Sequence, residues 1–312
     1  MLQRGRVVRV VPAGAWDPLR RLADMDRLGA RGHVVMPTPF TFLYDADPEV
    51  AVAFTSAQNE ALSTFVSAAP ERLVGLGGLP LASPDEAVAE AVRLASLPGL
   101  RGVEIGTYAG DRLLHDPELD PVFATLERLD LAVFVHPWKP LSPDRTSHHG
   151  LAFGLGRPVE TELAVGSLVF GGVLDRHPAL RVCLAHGGGG VPALRGRLHN
   201  GWARQDSVGR LPGVDPRQVL RRLWADGLTY DAMALTLAED TFGAEHLVVG
   251  SDYPFAAQEA TLGASFSAAQ HQLRLGPDWP EQTERNARVF LGHDGPEATT
   301  PTARRQERTY QR

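Results

Sequence analysis

The sequence predicts an α/β protein built as a TIM-type (β/α)8 barrel. Short apolar runs alternate with helix-length amphipathic segments along nearly the whole chain, the pattern of a parallel sheet wrapped by crossover helices. Three of those runs end on a polar residue at a turn: Val133-Phe-Val-His136, Val182-Cys-Leu-Ala-His186 and Leu247-Val-Val-Gly-Ser-Asp252. In a parallel barrel the carboxyl ends of the strands form the rim where chemistry is done. The length of 312 residues suits one domain, since such a barrel fills about 250 residues.

Residues 6 to 11 alternate weakly and read as a hairpin arm, so residues 1 to 18 form a leading arm. Asp17 caps and Pro18 opens the first helix, whose apolar stripe is Leu19, Leu22, Met25 and Leu28. A core strand follows from His33, then a helix from Pro48 to Ala68, a strand from Leu73 to Pro80, and a helix start at Ser83-Pro-Asp-Glu86 with Ala87, Val88, Ala91 and Val92 buried. The alternation continues with the strand Gly102 to Thr107, a helix from Pro117 to Leu129, the His136 strand, an irregular loop from Lys139 to Arg157, and a long helix from Val159 to His177. After the His186 strand, four glycines let the backbone turn tightly into a helix from Pro192 to Arg204. Gly227 to Asp231 reads as the next strand, the Asp252 strand comes after it, and a helix from Glu281 to Leu291 closes the domain. The single barrel domain is residues 1–293, and the Pro/Thr/Arg-rich tail, 294–312, is expected to be disordered.

This count gives seven central strands, ending near Pro37, Pro80, Thr107, His136, His186, Asp231 and Asp252, where a closed barrel has eight. The first strand is the one expected to be missing, because the leading arm and first helix have no strand before them. Two open sheet edges and uncovered apolar side chains would follow, and with them weak metal binding, poor solubility and little turnover.

Composition excludes several functions. With 31 basic against 37 acidic residues the formal charge is −6, and no basic block marks a nucleic-acid partner. No run of apolar residues is long enough to span a membrane, the arginine-dotted start is no signal peptide, and one cysteine, Cys183, permits no internal disulfide. A cytoplasmic enzyme is expected.

At the rim, a histidine and an aspartate at strand ends suit one divalent ion, and a second histidine suits acid–base work. Imidazole with carboxylate favours Zn2+, and the same donors admit Mn2+ or Fe2+; two protein ligands are nonetheless too few for a catalytic zinc. His148 and His149 are adjacent in a loop and diverge, so they make no metal pair. His177 precedes Pro178 at a helix end, where it is expected to meet the last carbonyls. His33, His115, His199, His246, His271 and His293 read as structural or surface residues. Arg9 and Arg197 offer planar forks for a carboxylate.

At these residues the chain closely resembles the amidohydrolase-related metal-dependent decarboxylases, nearest their carboxymuconate-semialdehyde branch. The likeness runs from about Val7 to Leu291 through Val7-Val-Arg9, Trp16-Asp17-Pro18, Met25-Asp26, Arg72-Leu-Val-Gly-Leu-Gly, His136-Pro-Trp138, Gly171-Gly-Val, His186-Gly-Gly-Gly, Gly196-Arg197, Gly250-Ser-Asp252-Tyr-Pro-Phe255 and Asn286-Ala. The resemblance implies His136 and Asp252 as metal ligands and His186 as the catalytic residue. It implies Arg9 as a grip on substrate carboxylate, Arg197 as the same grip across a homodimer interface, and Trp138 and Phe255 as pocket walls. It implies loss of CO2 from an unsaturated or aromatic carboxylate without an organic cofactor.

Family members carry a first strand ending His-x-His, and this chain has no such motif. A shortened start accounts for that better than natural loss of half the metal shell, because the other rim residues are all present. The alternatives are a metal-dependent hydrolase or hydratase of the same superfamily, a catalytically impaired form, and a non-catalytic binding module.

Overall fold

The computed structural model describes residues 2–3, 6–7, 10–204 and 214–292. Seven parallel strands form one sheet: β1 (His33–Val35), β2 (Leu73–Gly78), β3 (Leu100–Ile105), β4 (Ala132–Val135), β5 (Val182–Leu184), β6 (Trp224–Asp226) and β7 (Leu247–Val248). Each strand pairs with the next in sequence, so the sheet winds in one direction and curls as a barrel does, rather than reversing as in a doubly wound sheet. Among the described residues β1 and β7 are its two ends and do not pair with each other. The described residues therefore build seven successive strands of a (β/α)8-type barrel. The leading arm is a two-stranded antiparallel hairpin, Leu2–Gln3 with Arg6–Val7.

The main helices are α1 (Pro18–Leu28), which precedes β1, then between strands α2 (Pro48–Val66), α3 (Pro84–Leu94), α4 (Asp120–Arg128), α5 (Arg157–Phe170), α6 (Val191–Ala203) and α7 (Ala232–Phe242); α8 (Ala264–Ala269) and α9 (Trp279–Phe290) follow β7, and a short helix, Pro216–Leu220, precedes β6. Four helical segments, α1, α2, the turn Pro117–Leu119 before α4 and the short helix Pro216–Leu220, start at Asp-Pro. The carboxylates of Asp17, Asp47, Asp116 and Asp215 each accept a first-turn N–H while proline fills a position whose own N–H is not needed. Among the described residues no helix is long and apolar enough to cross a membrane.

Alternation along the strands divides the core in two. Outward residues such as Val103, Ile105, Val133, Val135, Val182 and Leu184 meet the helices in the larger cluster. Inward residues (Leu76, Ala132, Phe134, Cys183, Ala185 and Trp224) form the second, joined by Phe290 and Leu291 at the end of α9. Asn286 ties α9 to the head of β7 by donating to the carbonyls of Ala244 and Leu247 at 2.8 and 2.7 Å. Inward residues at the open ends, Val34, Met36 and Val248, are only partly covered. Cys183 is a free, buried thiol.

Four expectations need correction. β6 lies at Trp224–Asp226, and the segment expected as strand, Gly227 to Asp231, is a turn whose Asp231 caps α7. In α1, Leu19 is 74% exposed while Arg21 is buried, because the Arg21 guanidinium lies over the rings of Phe65 and Tyr253 and donates to the Gly14 carbonyl. In α3, Val92 faces solvent and Glu90 is buried, tied by Asn59, Ser56 and Arg93. The long helix after β4 ends at Phe170, and the Gly171-Gly172 step, with Gly172 at φ +68°, separates it from a short turn, Val173–Arg176.

Candidate active site

The rim holds the three groups that the sequence singles out, each just past a strand end. His136 follows β4 directly, and its N–H donates to the Ile105 carbonyl of β3 as if the strand continued. Its ring Nδ1 is 2.8 Å from the Pro137 carbonyl. A carbonyl accepts only from N–H, so Nδ1 carries the proton and Nε2 keeps its lone pair, the arrangement of a metal-ligating imidazole. Burial, and then the nearby charges of His186 and Arg157, hold its basicity well below the usual histidine range, so the ring is neutral at pH 7.

His186 stands two residues past the end of β5, its ring centroid 4.8 Å from that of His136 and steeply tilted to it at 74°. The backbone there has φ +56° at His186, and Gly187, Gly188 and Gly189 also take positive φ. A left-handed residue with a side chain costs about 1–2 kcal/mol. Two carboxylates secure the turn: Asp226 Oδ1 accepts the Gly187 N–H at 3.2 Å, and Glu162 Oε1 accepts the Gly190 N–H at 3.1 Å. Hydrogen bonds to charged acceptors contribute about 1.5–3 kcal/mol each, so the clamps outweigh the strain.

Asp252, at φ +51°, lies in the turn after β7, and its carbonyl accepts the Phe255 N–H at 2.8 Å. Its carboxylate makes itself felt on two neighbours. Tyr230 is pushed up to about 12 by burial and then by the charges of Asp252, Asp226 and Glu259. Glu104, on the inward face of β3, is raised well above the ordinary carboxyl range, first by burial and then by Asp252. Glu104 is 2% exposed and its Oε2 has no hydrogen-bond partner among the described residues.

An aromatic wall closes one side. Trp138 packs against Tyr44 and Tyr108, with ring centroids 5.3 and 5.5 Å apart, and Tyr44 is fixed by accepting the Gly106 N–H at 3.1 Å. The buried Trp138 Nε1 has no hydrogen-bond partner among the described residues. Lys139 lies over the outer face of Trp138 and pairs with Asp45.

Of the remaining sequence candidates, Phe255 is half-buried beside the Asp252 turn and Arg197 is exposed on α6. Arg9 falls outside the described residues. His177 does not serve carbonyls as expected: it is buried, with Nε2 3.0 Å from Asp120 and Nδ1 3.6 Å from Glu127. Glu104, Asp226 and Arg157 were not anticipated. Glu104 has a readable signal, a lone carboxylate in an apolar run, whereas Asp226 was hidden by the misplaced strand. No three His, Cys, Asp or Glu side chains among the described residues stand close enough to hold a metal ion as a closed group.

The sequence profile described as Amidohydrolase matches residues 7–288. The chain is 34% identical to a 2-amino-3-carboxymuconate-6-semialdehyde decarboxylase of Dictyostelium discoideum, over 94% of this chain and 82% of that protein. It is 26% identical to a gamma-resorcylate decarboxylase of Rhodococcus jostii, over 85% and 89% respectively. The crystal structure of Metarhizium anisopliae IDCase in apo form superposes with a TM-score of 0.76 at 27% identity, covering 89% of this chain and 79% of that one.

Proposed function

The chain belongs to the amidohydrolase family, and from that premise we propose that it works as a decarboxylase, a non-oxidative carboxy-lyase of the amidohydrolase superfamily. Its substrate is an unsaturated or aromatic small-molecule carboxylate of the carboxymuconate or dihydroxybenzoate kind. The observation that carries the site assignment is the meeting of a neutral His136, its Nε2 lone pair free, with His186 at the mouth of the sheet.

The donors fit a divalent ion in kind. His136 Nε2 offers a lone pair, and the buried Glu104 carboxyl, held protonated by burial and by the Asp252 charge, has an unpartnered oxygen among the described residues, a setting that a cation favours. His136 and Asp252 would hold it, with Zn2+ or Mn2+ suited to imidazole and carboxylate. Bound there, the ion supplies a Lewis acid for the substrate's oxygens. The chain's own groups do the rest. His186 moves a proton from an imidazole nitrogen to the carbon that bears the departing carboxylate, forming a C–H bond. The C–C bond to CO2 then breaks and its electron pair restores the conjugated system. Trp138 lies flat along that system, and Phe255 borders its apolar side. Arg9 and Arg197 balance the substrate's negative charge.

Arg197 acts from a second copy in a homodimer. Its exposure on α6 leaves its guanidinium open to a partner's site, which supports that reading.

The test is to incubate the Zn2+- and Mn2+-loaded protein with aminocarboxymuconate semialdehyde and with 2,6-dihydroxybenzoate, following CO2 release and product mass. Slow loss of CO2 is expected, in keeping with the incomplete ligand set among the described residues, with His136→Ala and Asp252→Ala losing bound metal and His186→Asn keeping the metal but losing turnover. Addition of water without CO2 release would assign a hydratase instead.

A further inference from the structure

Asp226 is the last residue of β6 and faces the barrel interior, two residues beyond the inward Trp224. It is buried, yet it is far from idle. One carboxylate oxygen, Oδ1, accepts both the Gly187 N–H at 3.2 Å and the Leu228 N–H at 3.0 Å. The register Trp224↔Cys183 and Ala225↔Leu184 carries β6 alongside β5 directly to the His186 turn. The first donor belongs to the residue next to His186, where the backbone runs through two successive positive φ angles, +56° and +66°. Such a turn aims its amide N–H groups to one side and binds an anion there.

The other flank of the carboxylate meets β7's extension. A Cβ at Gly250 would fall 2.8 Å from Asp226 Cγ and 3.0 Å from its Oδ2, so only glycine lets the strand leading to Asp252 pass. One buried anion thus touches the segments that carry His186 and Asp252.

We propose that Asp226 is a positioning residue for the decarboxylation: by fixing the His186–Gly187 turn and abutting Gly250, it sets the separation of the proton-carrying histidine and the Asp252 carboxylate. This rests on the reading of the site given above. Asp226 reaches no substrate. It acts through the backbone of its neighbours, and the demand is for an acceptor oxygen rather than for charge at the reacting atoms.

The test uses the full-length, metal-loaded protein and compares Asp226→Asn, Asp226→Ala and Gly250→Ala with the unchanged chain. Asparagine keeps an oxygen in place for both N–H donors, so kcat within about threefold of the unchanged protein is expected. Asp226→Ala and Gly250→Ala are expected to lower kcat at least 30-fold with KM within about threefold, and to speed hydrogen exchange in the peptide spanning residues 184–190. A folded Asp226→Ala with unaltered kcat overturns the proposal, as does Asp226→Asn falling as far as Asp226→Ala. If Asp226→Ala does not fold, Gly250→Ala decides: undiminished kcat, or unaltered exchange at 184–190, refutes the coupling. A protein that releases no CO2 from either substrate defeats the decarboxylase reading instead. Exchange at 184–190 still reports whether Asp226 secures the turn.

Discussion

Replacing Glu104 by leucine should make the metal-free protein more stable. The side chain is 2% exposed, faces the inner side of the sheet beside Phe134, and leaves Oε2 without a partner among the described residues. A buried polar atom left unmade costs about 1–3 kcal/mol, and well-packed apolar replacements of buried charged groups are often stabilising by a similar amount. Leucine is close in volume and removes the atom altogether. The gain must depend on pH, because burial and Asp252 raise the folded-state pKa of Glu104 above its unfolded value. For such an acid the folded state binds the proton more tightly, so stability is highest below the unfolded pKa and drains as pH rises towards the folded one, at about 1.4 kcal/mol for each unit of separation. The leucine variant has no such loss. Thermal unfolding in EDTA should therefore show the variant ahead by roughly 3–8 °C at pH 8, with the gap narrowing at pH 4.5. The same variant should retain less Zn2+ or Mn2+ after dialysis, since a bound cation would release the Glu104 proton and gain a carboxylate that leucine cannot offer. A variant less stable than the parent at pH 8, or a gap that does not change with pH, would refute the reasoning.

Acid should destabilise the protein through His33, whose pKa is lowered to about 4, by burial first and then by the charges of Arg21 and Arg72. A neutral buried histidine contributes in full above the unfolded pKa of 6.5 and loses up to about 3 kcal/mol as pH falls through the window towards 4, so a pH series of melting temperatures should be flatter for His33→Phe than for the parent. Two glycines should respond in opposite directions to alanine. Gly189 has φ +62° and ψ −136°, and a Cβ there would fall 2.6 Å from the Pro158 carbonyl, so Gly189→Ala should cost about 3 kcal/mol in urea unfolding. Gly196 lies within α6 with open space around its Cβ position, and Gly196→Ala should gain about 0.5–1 kcal/mol. Equal effects at the two sites would show that the turn after β5 is not held as described.

The architecture was legible because parallel strands buried on both faces read as plain apolar runs, and because Asp-Pro pairs punctuate the helices. The count of seven strands along the sequence is also the count found among the described residues. His136, His186 and Asp252 were found because a polar residue closing an apolar run, next to glycine or proline, has few packing explanations. What periodicity missed lies where polar groups satisfy each other in three dimensions. Arg21 takes a buried place that Leu19 was expected to share because two aromatic rings and a carbonyl receive it. Asp226 was lost because Gly227 to Tyr230 has the apolar and β-branched character of a strand, whereas the chain had already turned at Gly227. The strand-end carboxylate is recognisable only once the amides it accepts, 39 and 2 residues away, are known.

The stretch from Lys139 to Gly156, between the Trp138 wall and α5, hardly enters the interior: Phe153 and Leu155 are exposed, and its helical turns, Pro143–Thr146 and Ala152–Gly156, include a single buried residue, Gly156. If this stretch borders the proposed substrate, folding and substrate choice are written in different parts of the chain. Substitutions in this stretch are free to alter which acids are admitted while the scaffold and its histidines stay as they are, so new specificities lie within reach of small changes that leave stability nearly untouched.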